Sequence, residues 1–287
     1  MGRRPLAENP ANGKGGPQLT RVRLERSGGD GVGFPFSVPT IETLEPLDLA
    51  SPVTFLVGEN GTGKSTFLEA LAIAAGLPAV GSQRLEDDAT LEPQRRLAGR
   101  LKLTWRGRSH RGFFLRAEDF FGFQKALVRA RAEHEAEIRR MDVELADASE
   151  YARNLAKGPH RGSIADMERR YGADPDAASH GQAFLRLFSS RLVPRGLYLL
   201  DEPEAALSPQ SQLGLLAMMK DAVDRGSQFV VATHAPILMA VPGATLLSFD
   251  EAPVRPVPFA SLPSVQLVRD FLAAPERYLR HVWGEDG

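Results

Sequence analysis

Eight residues constrain this chain more than any others: Gly58-Glu59-Asn60-Gly61-Thr62-Gly63-Lys64-Ser65, set directly after the apolar run Val53-Thr54-Phe55-Leu56-Val57. The spacing G-x-x-x-x-G-K-[ST] belongs to a phosphate-binding P-loop, which requires a buried strand before it and a helix after it. The glycines let backbone N–H groups from Glu59 to Thr66 close around phosphate oxygens with no side chain in the way. Lys64 reaches the β/γ-phosphate oxygens and Ser65 offers a hydroxyl to Mg²⁺. The run Thr66-Phe67-Leu68-Glu69-Ala70-Leu71-Ala72 reads as the helix, its positive end aimed at the phosphates.

The rest of the chain must supply a core for such a strand–loop–helix unit. At 287 residues and 43% apolar content it is long enough for one large α/β domain or a core with an insertion. A formal net charge of −1 gives no global attraction to nucleic acid or anionic lipid, so any such binding needs a local patch. Basic clusters such as Arg95-Arg96, Arg106 to Arg111 and Arg139-Arg140 are interspersed with acids and read as solvated surface. The chain has no cysteine, which excludes disulfides, thiolate metal sites and a cysteine nucleophile and fits a cytoplasmic setting. No run approaches the ~18 apolar residues of a membrane span, so direct membrane insertion is not expected. Arg3-Arg4 is followed by polar, Gly- and Pro-rich sequence, and residues 1–17 read as a disordered tail.

Three segments follow the tail. Residues 18–123 are expected to hold the first half of a nucleotide-binding core with the P-loop, 124–178 a helical insertion, and 179–287 the second half of the core. Short β-like runs at Thr20 to Leu24 and Gly33 to Val38 suggest an N-terminal antiparallel patch, with further strands at Leu101 to Trp105 and Gly112 to Ala117. Between Gln124 and Lys157 the chain is highly charged and lacks Gly and Pro until Gly158-Pro159. Ile138, Met141, Leu145, Ala148, Ala152 and Leu155 recur in steps of three and four. This predicts one amphipathic helix of about 30 residues, about 45 Å long. A short second helix near Ile164 to Tyr171 would be too brief to pair along it.

Beyond Gly181, Leu197-Tyr198-Leu199-Leu200 reads as a buried strand running into Asp201-Glu202-Pro203. Two carboxylates at a strand end form a Walker B arrangement. The first holds Mg²⁺ and the second is placed to take a proton from the attacking water. The strand Phe229-Val230-Val231-Ala232 then leads to Thr233-His234, where a ring nitrogen can meet the γ-phosphate and align that water.

In this order the motifs resemble the ABC-type ATPase superfamily: a P-loop NTPase with a mainly parallel sheet flanked by helices. Gly112 to Glu118, Ser179 to Gln182, Asp201 to Gln210, Gly226 to Leu238 and Arg269 to Leu279 look like the small stand-alone bacterial "AAA family" ATPases related to the RecF, OLD and SMC branch. The resemblance covers residues 20–120 and 178–283. It implies ATP and Mg²⁺ as cofactors and a homodimer induced by ATP. It also implies that Ser179, Gly181 and Gln182 form a signature loop acting on the opposite subunit's nucleotide, although His180 replaces a glycine there. A Gln after the strand that follows the P-loop helix is expected to reach Mg²⁺. The strand has none at its end, which leaves Glu118 as the metal candidate and Gln83 or Gln124 as rivals.

Two functions stand against each other. One is a soluble switch that passes ATP-driven motion to DNA or a protein partner in repair, recombination or defence. The other is the nucleotide-binding subunit of an ABC transporter. The turn Glu204-Ala205-Ala206-Leu207-Ser208 and the altered signature favour the first. A module that only holds ATP is disfavoured by Glu202.

Overall fold

The computed structural model describes residues 18–26, 33–80, 89–107, 111–171 and 180–283. The expected tail at 1–17 lies outside them, as do Ser179 and Gln83.

A parallel sheet of buried, β-branched and aromatic strands forms the centre, and its order is β5-β6-β7-β3-β8-β9. The strands are β3 (Val53–Val57), β5 (Gly112–Arg116), β6 (Leu197–Asp201), β7 (Gln228–Ala232), β8 (Thr245–Ser248) and the short β9 (Arg255–Pro256). Only β9 runs antiparallel. All residues of β3, β6 and β7 are buried, as expected of parallel strands covered on both faces. A second, antiparallel sheet is built from β1 (Leu19–Leu24), β2 (Leu47–Asp48) and β4 (Leu101–Trp105), in the order β2-β1-β4. Gln228 ties the two sheets together. Its fully buried amide donates to the carbonyls of Leu19 and Leu49 at 2.8 and 2.7 Å and accepts from Leu19 N at 2.9 Å.

The core lies in two layers, one on each face of the parallel sheet. The P-loop helix α2 (Lys64–Ala75) and α3 (Glu92–Ala98) pack with the antiparallel sheet on one face. The other face carries α6 (His180–Arg191), α7 (Pro209–Asp224), α8 (Pro236–Met239) and α9 (Pro263–Ala273), with α10 (Pro275–Trp283) following. An aromatic group of Phe113, Phe184, Phe188, Tyr198 and Phe229 fills the second layer.

Three local expectations are corrected. Gly33 to Val38 is a turn, not a strand. It feeds the short helix α1 (Pro39–Glu42), since Gly33 takes φ +85° and Pro35 has no N–H for a ladder. Between 117 and 171 the chain forms not one long helix but a hairpin of α4 (Ala117–Glu144) and α5 (Glu150–Tyr171). Ser149 starts α5, its hydroxyl accepting from Ala152 N at 3.3 Å. The helices are also paired along their length, through Phe123–Tyr171, Arg131–Glu168 at 3.0 Å, His134–His160 and Lys157–Asp142. Finally, α5 runs through Gly158-Pro159. Proline removes the N–H that would bond the Leu155 carbonyl, but Leu155 lies on the exposed surface, where water can replace it.

Candidate active site

Strand order decides where the site forms. β7 lies between the P-loop strand β3 and the acidic strand β6, so the C-terminal ends of three adjacent parallel strands bring Lys64, Glu202 and His234 to one edge. Loop backbones lock this edge: Thr233 N donates to Leu56 O at 3.2 Å and Glu202 N to Ala232 O at 2.9 Å.

The P-loop is held from both sides. Gly58, Gly61 and Gly63 all have positive φ (+144°, +79° and +98°). A Cβ on Gly63 would come within 3.0 Å of both Thr40 Oγ1 and a Val38 methyl, and one on Gly58 within 3.0 Å of Asp250 Oδ1. Thr40 Oγ1 donates to Thr62 O at 2.5 Å, while Asp250 Oδ1 accepts from Glu59 N at 2.7 Å. Glu59, Asn60 and Gly61 stay exposed at the rim, and Thr66 follows in the first turn of α2.

Lys64 folds back into this loop, and its Nζ donates to the carbonyls of Gly58 and Glu59, both at 2.7 Å. Burial holds its pKa below the usual lysine value, while Glu202, Asp201, Asp250 and Glu59 oppose that shift. Ser65 Oγ donates to Asp201 Oδ1 at 3.1 Å. Burial pushes the Asp201 carboxyl up to about 7; the Ser65 hydrogen bond opposes the rise, and neighbouring Glu69 and Glu202 add to it. A hydroxyl beside a buried, electron-rich carboxylate is a hard-oxygen pair that fits Mg²⁺, and the glycine cradle fits a phosphate chain. Bound there, the cation would neutralise charge on the β- and γ-phosphates. Ser65 and Asp201 would hold it, and Lys64 would give its proton-rich end to phosphate oxygens in place of the loop carbonyls.

Glu202 sits in a left-handed conformation, φ +47° and ψ +48°, strained for a residue with a Cβ. Its Oε1 lies 3.7 Å from His234 Nε2, a ring atom that is buried and has no hydrogen-bond partner among the described residues. Carboxylate and imidazole thus lie side by side just past the C-terminal ends of β6 and β7.

The other expected residues stand apart. Glu118 lies in the first turn of α4 with its side chain 77% exposed, 3.6 Å from Arg116. No contact among the described residues brings it to Ser65 or Asp201. Gln124 sits two turns further along α4. Gly181 and Gln182 occupy the first turn of α6, with Gly181 buried and Gln182 exposed. A Cβ on Gly181 would fall 2.7 Å from Ser211 Oγ, so α6 packs closely on α7 at this point.

Beside Asp201 lies a cluster absent from the sequence expectations. Arg116 pairs in register with Asp201 across β5 and β6. Its guanidinium, 14% exposed, reaches Glu69 Oε1 at 3.0 Å and both carboxylate oxygens of Asp119 at 2.8 and 3.2 Å. Gln94 donates to Glu69 Oε2 at 2.9 Å. Glu69 stands one helical turn after Ser65, so α2, the end of β5 and the start of α4 meet through one arginine. Only the i, i+4 spacing of Ser65 and Glu69 pointed this way in the sequence.

Residues 37–110 match a family described as "AAA domain", and residues 104–240 one described as "AAA domain, putative AbiEii toxin, Type IV TA system". A Haloferax volcanii protein described as "Probable anion import ATP-binding protein" is 28% identical over 230 residues, covering 76% of this chain and 74% of that protein. Similar solved structures include an Smc head domain with an extended coiled coil from Pyrococcus furiosus, 12% identical over 90% of this chain and 99% of that one, with a TM-score of 0.40. The SMC head domain from Thermotoga maritima is 15% identical, covering 84% and 99%, with a TM-score of 0.37. An ATP-binding subunit of an ABC transporter is 18% identical, covering 84% and 90%, with a TM-score of 0.41. The two AAA matches flank and include the P-loop, the acidic strand end and His234, and the strand order sets these motifs side by side. The chain is a P-loop ATPase that matches AAA-domain models from residue 37 to residue 240.

Proposed function

We propose that this ATPase hydrolyses ATP at the interface of a nucleotide-driven homodimer and works as a switch on DNA or a protein partner. The observation that carries the reading is the paired hairpin α4–α5. It leaves the sheet directly at Arg116, the residue in register with Asp201, so an arm of 28- and 22-residue helices springs from the edge of the site. Its base also touches the signature-like helix, through Phe121 and His180 with ring centres 5.8 Å apart. A change at the phosphates thus has a short path to a long lever.

In this reading Glu202 takes the proton of the attacking water, and His234 aligns it against the γ-phosphate. Lys64 and the loop N–H groups stabilise phosphate charge, while Ser65 and Asp201 hold Mg²⁺. Ser179, Gly181 and Gln182 complete the partner's site. The similarity to an anion-import ATP-binding protein favours a second reading, a transporter subunit. No helix of the described residues is long and apolar enough to cross a membrane, so in that reading the pore would belong to another chain.

ATPase rates with and without duplex or single-stranded DNA, together with sedimentation in ATP and in ADP, test the proposal. A monomer in ADP that dimerises in ATP and is stimulated by DNA or by a soluble partner is the expected result. Co-purification with an integral membrane protein, with no response to DNA, would decide for the transporter reading.

A further inference from the structure

We propose that Glu204 is a positioning residue for hydrolysis, holding the His234 loop in register with Glu202; the inference rests on the reading of His234 given above. Three successive N–H groups leave the end of β7, and each finds a different acceptor. Thr233 N donates to Leu56 O of the P-loop strand at 3.2 Å, and Ala235 N to the Thr233 hydroxyl at 3.0 Å. His234 N alone is taken by a side chain from another loop, Glu204 Oε1, at 2.6 Å. That distance is short for N–H···O and marks a charge-assisted bond.

The chain reaches this contact by an unusual route. Glu202 takes left-handed backbone angles, and the chain then closes a tight turn, Ala205 N donating to Glu202 O at 3.0 Å. The reversal sends the Glu204 carboxylate back beneath the neighbouring loop. The same four-residue turn, Glu202 to Ala205, thus sets Glu202 beside His234 and fastens the His234 backbone. Glu204 is half-buried, and its Oε2 is shielded from water with no hydrogen-bond partner among the described residues, a cost that the bond from Oε1 to His234 N offsets. A turn needing only to be tight would not require this. The distance it controls is the 3.7 Å between Glu202 Oε1 and His234 Nε2. Small displacements of such paired groups cost rate steeply, because aligned reactants are what binding supplies.

The experiment is a double-mutant cycle in ATP turnover. Glu204→Ala should lower kcat by about 10- to 100-fold, the range for losing a hydrogen bond to a charged group, with KM for ATP nearly unchanged. Glu204→Gln, which keeps an acceptor oxygen at the same reach, should recover the rate to within about threefold. In a His234→Ala background, Glu204→Ala should cost less than about twofold more, because its effect passes through His234. If Glu204→Ala does not fold, Glu204→Asp replaces it in the cycle; its shorter arm withdraws the acceptor and should give an intermediate loss. Wild-type kcat in the Glu204 variants, or an undiminished loss in the His234→Ala background, would overturn the inference and leave the role of His234 standing. Full activity of His234→Ala would instead remove the reading beneath it.

Discussion

At the scale of single residues, Asp201 and Glu202 are neighbours with opposite environments. Asp201 is buried against Ser65, whereas Glu202 is turned outward by its left-handed backbone. Replacing Glu202 with Gln should leave ATP binding intact and cut turnover by about 10²–10⁴, the usual range for lost general-base catalysis. Single-turnover kinetics beside a nucleotide-binding titration measure both, and an unchanged rate would take Glu202 out of the chemistry. Asp201 gives a pH signature. With its pKa raised to about 7, the nucleotide-free folded state binds a proton that the unfolded chain releases near pH 4. Its contribution therefore favours folding in acid and is lost as pH rises from about 4 to about 7. Mg²⁺ must displace that proton, so apparent Mg²⁺ affinity should climb with pH and level off above about 7. Asp201→Asn should bind weakly at every pH. A flat profile between pH 5.5 and 8 in the wild type would count against Asp201 as a ligand.

At the scale of elements, the site motifs were legible because each pairs a strand end with a fixed set of side chains. Val53 to Val57 and Phe229 to Ala232 are short, apolar and β-branched, and Leu197 to Leu200 is a short apolar run ending in two carboxylates, so all three read as buried strands. The hairpin was not legible, because charged helices keep their period across a turn. Leu145 and Ala148 continue the stripe although they lie between α4 and α5. Ser149 before Glu150 was the available start signal, and Gly158-Pro159 outweighed it as an apparent stop. The Arg116 cluster escaped because its members, Glu69, Gln94 and Asp119, lie on three helices whose approach only the fold creates. Arg116→Ala should destabilise the protein by ~3 kcal/mol, since it leaves the 10%-exposed Glu69 carboxylate without its cation. Burial already raises the Glu69 pKa with Arg116 present, and the variant should raise it further. Protonation then relieves the loss, so the gap in denaturant midpoint should narrow in acid. An equal gap at pH 5 and pH 8 would show that Arg116 acts by packing rather than by charge.

At the scale of the whole molecule, the question is what the hairpin does with nucleotide-driven motion. Its base belongs to the core, with Phe120 buried and the Phe123 and Tyr171 rings 5.5 Å apart, so the two strands of chain leave and re-enter the domain side by side. Its tip exposes Val143, Tyr151 and Leu155, which nothing in the core needs. Replacing residues 125–169 with a short flexible linker should therefore keep the fold, ATP affinity and the monomer in ADP. The effect should fall on coupling: stimulation of turnover by DNA or by a protein partner should disappear while basal turnover remains. Salt then identifies the partner class. The protein is nearly neutral overall, with a formal net charge of −1, so binding to DNA would have to come from a few local phosphate contacts. Each contact releases counterions, so affinity should drop steeply between about 50 and 200 mM salt. A protein partner seated on the exposed apolar tip should bind with little salt dependence, because burial of apolar surface is not screened. Stimulation that survives removal of the hairpin would place the output elsewhere and reject the lever.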